Sequence, residues 1–592
     1  MKKIFLLIVI LTSLGVCAQT IHHKLSMPEP QTHYFHVEME LKDFTEEEIV
    51  VSIPVWTPGS YLVREFSKNI NLVRAIDEKG KTLPIEKTKK NKWKISKGKS
   101  KVVNVKYEVY AFELSVRTSF LDLTHGYVNG TNVFMYPENY KSKGGKLTII
   151  PHASFKKITT ALPRSSEGVA NDSGTTFIFD DYDHLADSPI EIGNQEVFSF
   201  DAAGVKHHVA MYGPGNYNIE RLKSDMARII EAATAVFGQN PNKEYWFIIH
   251  NTSTGGGGLE HKVSTTLNVN RWTYDDEGYK GFLSLVAHEY FHLWNVKRIR
   301  PKELGPFDYD NENYTDLLWV MEGFTSYYDE LLLRRAGFHT QDEYLKTLKS
   351  TMNYVESSPG NKVQPVAHSS FDAWIKAYRP NENSGNVTIS YYSKGQLIAA
   401  VFDAMIIKSS KGKKSLDDFM RLLYSKYYEE LDRGFTAEEF QNSLEKFIGT
   451  DLDEFFRDHI YGTKTVDYAT YFKELGLTIE LSENQGIAFG VSTTEKDGRL
   501  VVRSVTANSM AEKVGLSPND EIIAFNGFRV DSGTFNRYMS TLNPGDSFNL
   551  IISRDEQLMS LDSKMGTVEL ARYSFSFDEN NSLGQYWLRE MK

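Results

Sequence analysis

The chain has 592 residues, 41% of them hydrophobic and 24% charged, which is enough apolar material for several packed cores and, by length, for about four domains. Its formal net charge is −10, and it has no basic run or basic–aromatic stripe, so nucleic acid is excluded as an expected partner. Beyond the first residues no segment reaches the apolar length of a spanning helix, so no membrane span is expected.

Lys2 and Lys3, the apolar run Ile4 to Leu11 and the small-residue site Val16-Cys17-Ala18 predict a signal peptide over residues 1–18. The protein is therefore expected to be exported, to the periplasm or out of the cell. Cys17 is the only cysteine and falls inside this segment, so a mature chain cut after Ala18 has neither disulfides nor thiol chemistry. The alternative, a lipoprotein acylated at Cys17, is disfavoured by Val16, because a small residue belongs there.

Residues 19–203 carry short alternating runs such as YFHVEMELKDF and KVVNVKYEVYAF, broken by Gly, Pro and Asn, and predict a β-rich domain. Over 204–475 the periodicity turns helical, as in NIERLKSDMARIIEAATAVFG and TDLLWVMEGFTSYYDELLLRRAG, the latter closed by Arg334, Arg335 and a C-terminal Gly337. A smaller region spans 476–573, followed by a C-terminal extension, 574–592. No solenoid-type repeat or low-complexity tract is present.

In the helical region, Thr254 is followed by four glycines, Leu259, Glu260 and His261. Such glycines let a backbone pass close to another chain at the edge of a substrate cleft, which makes Gly257 and Gly258 candidate substrate contacts. Glu260 could offer its carboxylate to a substrate ammonium; the alternative is an exposed glutamate on a surface turn. His288-Glu289-Tyr290-Phe291-His292 is the pattern H-E-x-x-H. On a helix, the two imidazoles lie one above the other and can reach one metal ion, while Glu289 is placed to take a proton from water. Two hydrogen-bonded core histidines are the alternative.

Catalytic zinc takes three protein ligands, and Glu322, within an otherwise apolar helix, is the candidate third, because a carboxylate at that depth needs a partner; the alternative is a glutamate at the solvent edge of the helix. Asp308, Asp310, Asn311 and Glu312 lack the Gly and terminal Glu of a calcium loop and read as a solvated turn. Ser390-Tyr391-Tyr392-Ser393-Lys394-Gly395, ahead of the helical run QLIAAVFDAMI, offers a tyrosine hydroxyl for an oxyanion, although packing is its default role.

Taken together, these phrases resemble the gluzincin metallopeptidases, and among them the PDZ-bearing glycyl aminopeptidase family. Gly256 to His261, His288 to Pro301, Glu322 to Tyr328 and residues 56–70 (WTPGSYLVREFSKNI) carry the resemblance. The third region adds to it. Gln485-Gly486-Ile487-Ala488-Phe489-Gly490-Val491 resembles the PDZ loop that binds a peptide carboxylate, and Ser509 to Leu516 followed by Asp520-Glu521-Ile522-Ile523 resembles the PDZ core phrase, with Val514 in place of the usual Ala. The resemblance implies an α+β multidomain fold: a β-rich N-terminal domain, a thermolysin-like, mostly helical catalytic domain and a C-terminal PDZ domain. It further implies one zinc ion bound by His288, His292 and Glu322, with Glu289 as general base. Glu260 would grip the substrate's free amino group, and Tyr392, or its neighbour Tyr391, would stabilise the oxyanion.

The expected function is a zinc aminopeptidase that releases N-terminal residues from peptides with a free N-terminus, with the preference for Gly and Ala that the family implies. A peptide C-terminus is a further candidate partner, at Gly486, Ile487, Ala488 and Phe489. The alternatives are a zinc endopeptidase of the same fold, and an exported PDZ-containing peptide-binding protein whose zinc is structural.

Overall fold

The computed structural model describes residues 19–166 and 174–591; the expected signal peptide, with Cys17, lies outside them. The chain divides into two compact units, one of residues up to Thr57 with Arg64–Gln195, the other of Pro58–Val63 with Glu196–Lys592.

The first unit is β-rich, as its alternating runs require. Tyr34–Lys42 and Val102–Tyr110 pair antiparallel at the centre of a seven-stranded sheet. Their period-two apolar residues face one side, so that Phe35, Val37, Met39 and Leu41 lie opposite Val109, Tyr107, Val105 and Val103 in the buried layer. Two four-stranded sheets complete the unit.

The second unit opens with a five-stranded mixed sheet, β1 (Glu196–Ala202), β2 (Val205–Tyr212), β3 (Glu244–Thr252), β4 (Gly258–Glu260) and β5 (Ser264–Asn270), in the order β1-β2-β3-β5-β4. The strand Glu196–Ala202, which the sequence reading assigned to the N-terminal domain, is thus the first strand of this sheet; its hairpin with Val205–Tyr212 decides its membership. Helix α1 (Ile219–Phe237) starts at Asn218, whose side chain accepts from the Arg221 N–H, and stops at Gly238 with φ 76°. It buries Leu222, Met226, Ile229, Ala233 and Phe237, one helical face.

Helix α2 (Tyr279–Phe291) is buried on nearly every side, by Phe282, Leu283, Val286, Tyr290 and Phe291, and so runs through the core. Helix α3 (Gly323–Arg335) follows the short helix Leu318–Met321, with Gly337 at φ 75° just beyond its end. Helix α4 (Tyr391–Ser410) is the longest element in contact with α3.

Near the C-terminus, β6 (Leu477–Gly486) pairs antiparallel along its whole length with the much later β12 (Val568–Phe577). Between them lie β7 (Val491–Lys496), β8 (Arg499–Val505), β9 (Glu521–Phe525), helix α5 (Ser532–Ser540), β10 (Ser547–Arg554) and β11 (Gln557–Lys564). The sheet β7-β8-β9-β10-β11 and α5 close over their own core of Phe489, Val502, Ile522, Phe535, Phe548 and Leu550. This module is therefore inserted in a two-stranded ribbon. After the ribbon, helix α6 (Ser582–Trp587) and the last residues return to α3: Trp587 Nε1 donates to the Tyr327 hydroxyl at 2.9 Å, Arg334 pairs with Glu590 and the Met591 N–H donates to the Arg335 carbonyl. No described helix is long and apolar enough to cross a membrane.

Candidate active site

His288 and Glu289 lie in the last turn of α2, and His292 caps it. The two rings meet edge-on one turn apart, centroids 4.6 Å from each other and nearly perpendicular. Each ring is held by its Nδ1. That of His288 donates to Asp329 Oδ2 at 2.9 Å, and that of His292 to the Asn295 carbonyl at 2.6 Å. Both Nε2 atoms are thereby turned to the same place, where Glu322 Oε2 lies 3.4 Å from His288 Nε2 and 3.2 Å from His292 Nε2. The side-chain amide of Asn295 donates to the Val320 and Met321 carbonyls, which fixes the end of the helix that delivers Glu322.

Sequence periodicity put Glu322 in mid-helix; it sits instead where Leu318–Met321 abuts α3, 2% exposed. Two glycines allow this placement. A Cβ on Gly323 would come 2.4 Å from Gly395 Cα, and one on Gly395 would come 2.4 Å from the Trp319 carbonyl, so α3 and α4 touch backbone to backbone. The same contact brings the N-terminus of α4 to the site. Tyr391 and Tyr392 belong to its first turn rather than to a loop before it, because Ser390 caps the helix by accepting from the Ser393 N–H. The Tyr392 ring faces that of His288, centroids 6.1 Å apart; Tyr391 is buried behind it.

Glu260, on the edge strand β4, is 4% exposed, and Glu289 is 5% exposed. One ligand atom each of Glu260, Glu289 and His292 lies within 4.8 Å of the others, as do those of His288, His292 and Glu322. The glycine loop makes this convergence possible: a Cβ on Gly258 would come 2.4 Å from the Glu289 carboxyl, and one on Gly255 2.4 Å from Asn268 Oδ1. Gly257 has φ 106° and open space where a side chain would be.

The electrostatics fit a divalent cation. Asp329, Glu322, Glu289 and Glu260 converge on two imidazoles in a buried site. Burial pushes the Glu289 carboxyl up, against the pull of His288 and His292, and Glu260 and Glu322 raise it further. Burial also works against the charge of Glu322, but His292 and His288 outweigh it and hold its carboxyl low. Glu289 Oε2 is buried and has no hydrogen-bond partner among the described residues. Two converging Nε2 lone pairs, one ionised carboxylate and a spare carboxyl beside them form an N₂O donor set suited to zinc, and three protein ligands leave a position open.

Comparison with known proteins places the chain among peptidases. Family models match residues 22–194 as a peptidase M61 N-terminal domain, 281–398 as an M61 glycyl aminopeptidase and 488–565 as a PDZ domain. The crystal structure of an aminopeptidase N family protein from Idiomarina loihiensis superposes with a TM-score of 0.90 at 31% identity, over 96% of this chain and 100% of that one. The chain belongs to the M61 glycyl aminopeptidase family. It is a metallopeptidase of the aminopeptidase kind, with a β-rich N-terminal domain, a helical catalytic region and a PDZ domain. An M1 zinc metallopeptidase from Deinococcus radiodurans shares the fold at 12% identity, with a TM-score of 0.51 over 76% of this chain and 94% of that one. A comparison with curated proteins returns no match.

In this M61 chain the structure brings together His288, Glu289, His292, Glu322, Glu260, Gly258 and Tyr392, all singled out in the sequence. The sequence reading missed Asp329 and Asn295, which orient the two histidines. Asp329 stands seven residues, two helical turns, after Glu322 and so shares its face, a spacing that could have revealed it. The loop of Asp308 to Glu312 is closed by its own hydrogen bonds, Asp308 accepting from the Asp310 N–H and the Asn311 amide, as expected of a solvated turn.

Proposed function

We propose that this M61 peptidase is an exopeptidase that removes single residues, glycine and alanine foremost, from peptides with a free N-terminus, using one zinc ion held by His288, His292 and Glu322. The observation that carries the reading is the second carboxylate: Glu260 converges with Glu289 and His292 within 4.8 Å. A peptide whose scissile carbonyl lies at the histidines then brings its α-ammonium to Glu260, and a longer N-terminal extension would meet that strand.

When bound, zinc supplies Lewis acidity, which polarises the carbonyl and makes a water molecule more acidic. Glu289 takes the proton of the attacking water on its unpartnered Oε2 and delivers it to the leaving amine. Its burial suits both halves of that task, since a carboxyl pushed up by desolvation holds a proton better than an exposed one. The Tyr392 hydroxyl, kept protonated first by burial and then by the negative field of Glu322, donates to the developing oxyanion. Asp329 and Asn295 keep both Nε2 atoms presented. Glu260 binds the ammonium, and the backbone at Gly257 and Gly258 lines the approach.

In the PDZ module β7 is an edge strand that follows the loop Gly486-Ile487-Ala488-Phe489, and we assign this edge to a peptide C-terminus added as a further strand. Export through residues 1–18 belongs to the same proposal, and N-terminal sequencing of the mature protein beginning at Gln19 would verify it.

The test of the catalytic reading pairs substrates with a variant. Gly- and Ala-anilides should be hydrolysed and N-blocked peptides left intact; cleavage of blocked peptides with no release from free amino termini would establish an endopeptidase instead. Glu289→Gln should lower kcat by at least about 10²-fold while zinc stays near stoichiometric. Full activity in that variant would refute the assigned base.

A further inference from the structure

Pro58–Val63 groups with the second unit although its sequence neighbours on both sides belong to the first. Gly59 holds φ 84°, and a Cβ built on it would lie 2.6 and 2.7 Å from the two carboxylate oxygens of Glu260 and 2.6 Å from Leu259 Cδ1. The loop backbone is thus pressed against the carboxylate assigned to the substrate amine. The Tyr378 hydroxyl donates to the Gly59 carbonyl at 3.4 Å and holds the loop there.

Tyr61, two residues on, is 2% exposed; its ring meets Trp374 and Tyr378 edge-on, with centroids at 5.7 and 6.0 Å. Burial first, and then the fields of Glu322 and Glu260, raise its pKa well above 10. Its phenol is therefore neutral and lies within electrostatic reach of both the metal-side and the amine-side carboxylate. An N-terminal residue bound with its amine at Glu260 and its carbonyl at the histidines has its Cα between those two groups, with Gly59 at the amine end of that span and Tyr61 two residues further along the same loop.

We propose that Gly59, Tyr61 and Tyr378 form the wall that limits the size of the N-terminal side chain, and that this wall selects glycine and alanine. The proposal rests on the aminopeptidase reading above. Trp374 backs Tyr61 and the Tyr378 hydroxyl ties the ring pair to the loop, so admitting a branched side chain requires packed rings to move. A missing methylene in such a pocket is worth roughly 10- to 200-fold in discrimination, so removing a whole ring should be readily measured.

The experiment compares kcat/KM for Gly- and Leu-anilides in the zinc-loaded wild-type protein and in Tyr61→Ala, Tyr378→Ala and Tyr61→Phe. The Leu-to-Gly ratio should rise by roughly 10-fold or more in each alanine variant and keep its wild-type value in Tyr61→Phe. A ratio that stays below that rise in both alanine variants, with thermal unfolding and zinc content showing intact protein, overturns the proposal and leaves the aminopeptidase reading standing. Tyr378→Ala carries the test alone if Tyr61→Ala does not fold. A wild-type protein that cleaves neither anilide but does cut N-blocked peptides overturns the wall and the aminopeptidase reading together.

Discussion

Each ligand histidine depends on a partner that never touches substrate. Asp329 fixes the ring of His288 from 2.9 Å away; burial raises the Asp329 carboxyl to about 7, while its hydrogen bond to His288 pulls it down and favours the negative charge that makes Nε2 a better electron-pair donor. Asp329→Asn keeps the shape and removes the charge, so zinc affinity should fall by about 10-fold or more in competition with a chromophoric chelator, with unfolding temperature little changed. Lys394 shows the opposite kind of residue. It lies on α4 beyond the tyrosines, is 3% exposed, and its Nζ has no hydrogen-bond partner among the described residues. Burial lowers its pKa from 10.5 to about 8 against the opposing pull of Glu356. A lysine whose folded pKa lies below its unfolded one destabilises the fold fully below about pH 8, and the penalty fades as pH rises to 10.5. Lys394→Met should therefore stabilise the protein by up to about 3 kcal/mol at pH 7, and by much less at pH 10, in urea unfolding.

At the scale of elements, the site is assembled by glycines. Gly258 lets β4 lie on Glu289, and Gly323 with Gly395 lets α3 and α4 meet. Gly258→Ala places a methyl within 2.4 Å of the Glu289 carboxyl, so kcat/KM should drop by at least about 10²-fold while zinc binding and the unfolding temperature stay close to wild type. Gly258 was visible in the sequence because it stands two residues from Glu260, whereas Gly323 and Gly395 gave no signal that their helices meet; the ligands were visible, since H-E-x-x-H is a single helical turn and Glu322 is conspicuous as a carboxylate in an apolar run. Helix starts were harder to read. Tyr391 and Tyr392 read as a loop until Ser390 is recognised as a cap, since Ser is as common in turns as at helix starts. Gly59 and Tyr61 were not legible as site residues at all. They stand about 200 residues before Glu260, and no periodicity links positions joined only by the tertiary fold.

For the whole second unit, the governing feature is the ribbon of β6 and β12. Gly486 and Val568 are cross-strand partners at its PDZ end, so the chain enters and leaves the module at one point. An Asn-Gly turn can therefore replace residues 487–567 without changing the ribbon's register. The shortened protein should keep its Gly-anilide hydrolysis and lose retention of peptide C-termini on a column. The ribbon is tied down at mid-length: Asn353 pairs with both the N–H and the carbonyl of Tyr573, whose cross-strand partner is Leu481. Asn386 in turn accepts from the Ala507 N–H and donates to the Val505 carbonyl, which docks the module on the catalytic helices.

The return of the last residues to α3 sets an order of assembly. Arg335 is 1% exposed and is neutralised by Asp417, which also receives Arg589 at 3.5 Å, while Trp587 fills the core beside Tyr327. Tyr327 and Trp587 lie 260 positions apart along the chain, so their contact closes a long loop and forms only after residue 587 has been made. The PDZ module, whose core is drawn from one continuous segment, can fold on emerging, whereas α3 gains its contact with Trp587 only afterwards. A chain truncated before Ser582 should therefore lack the piece that packs on α3, and its unfolding temperature should fall below that of the full chain.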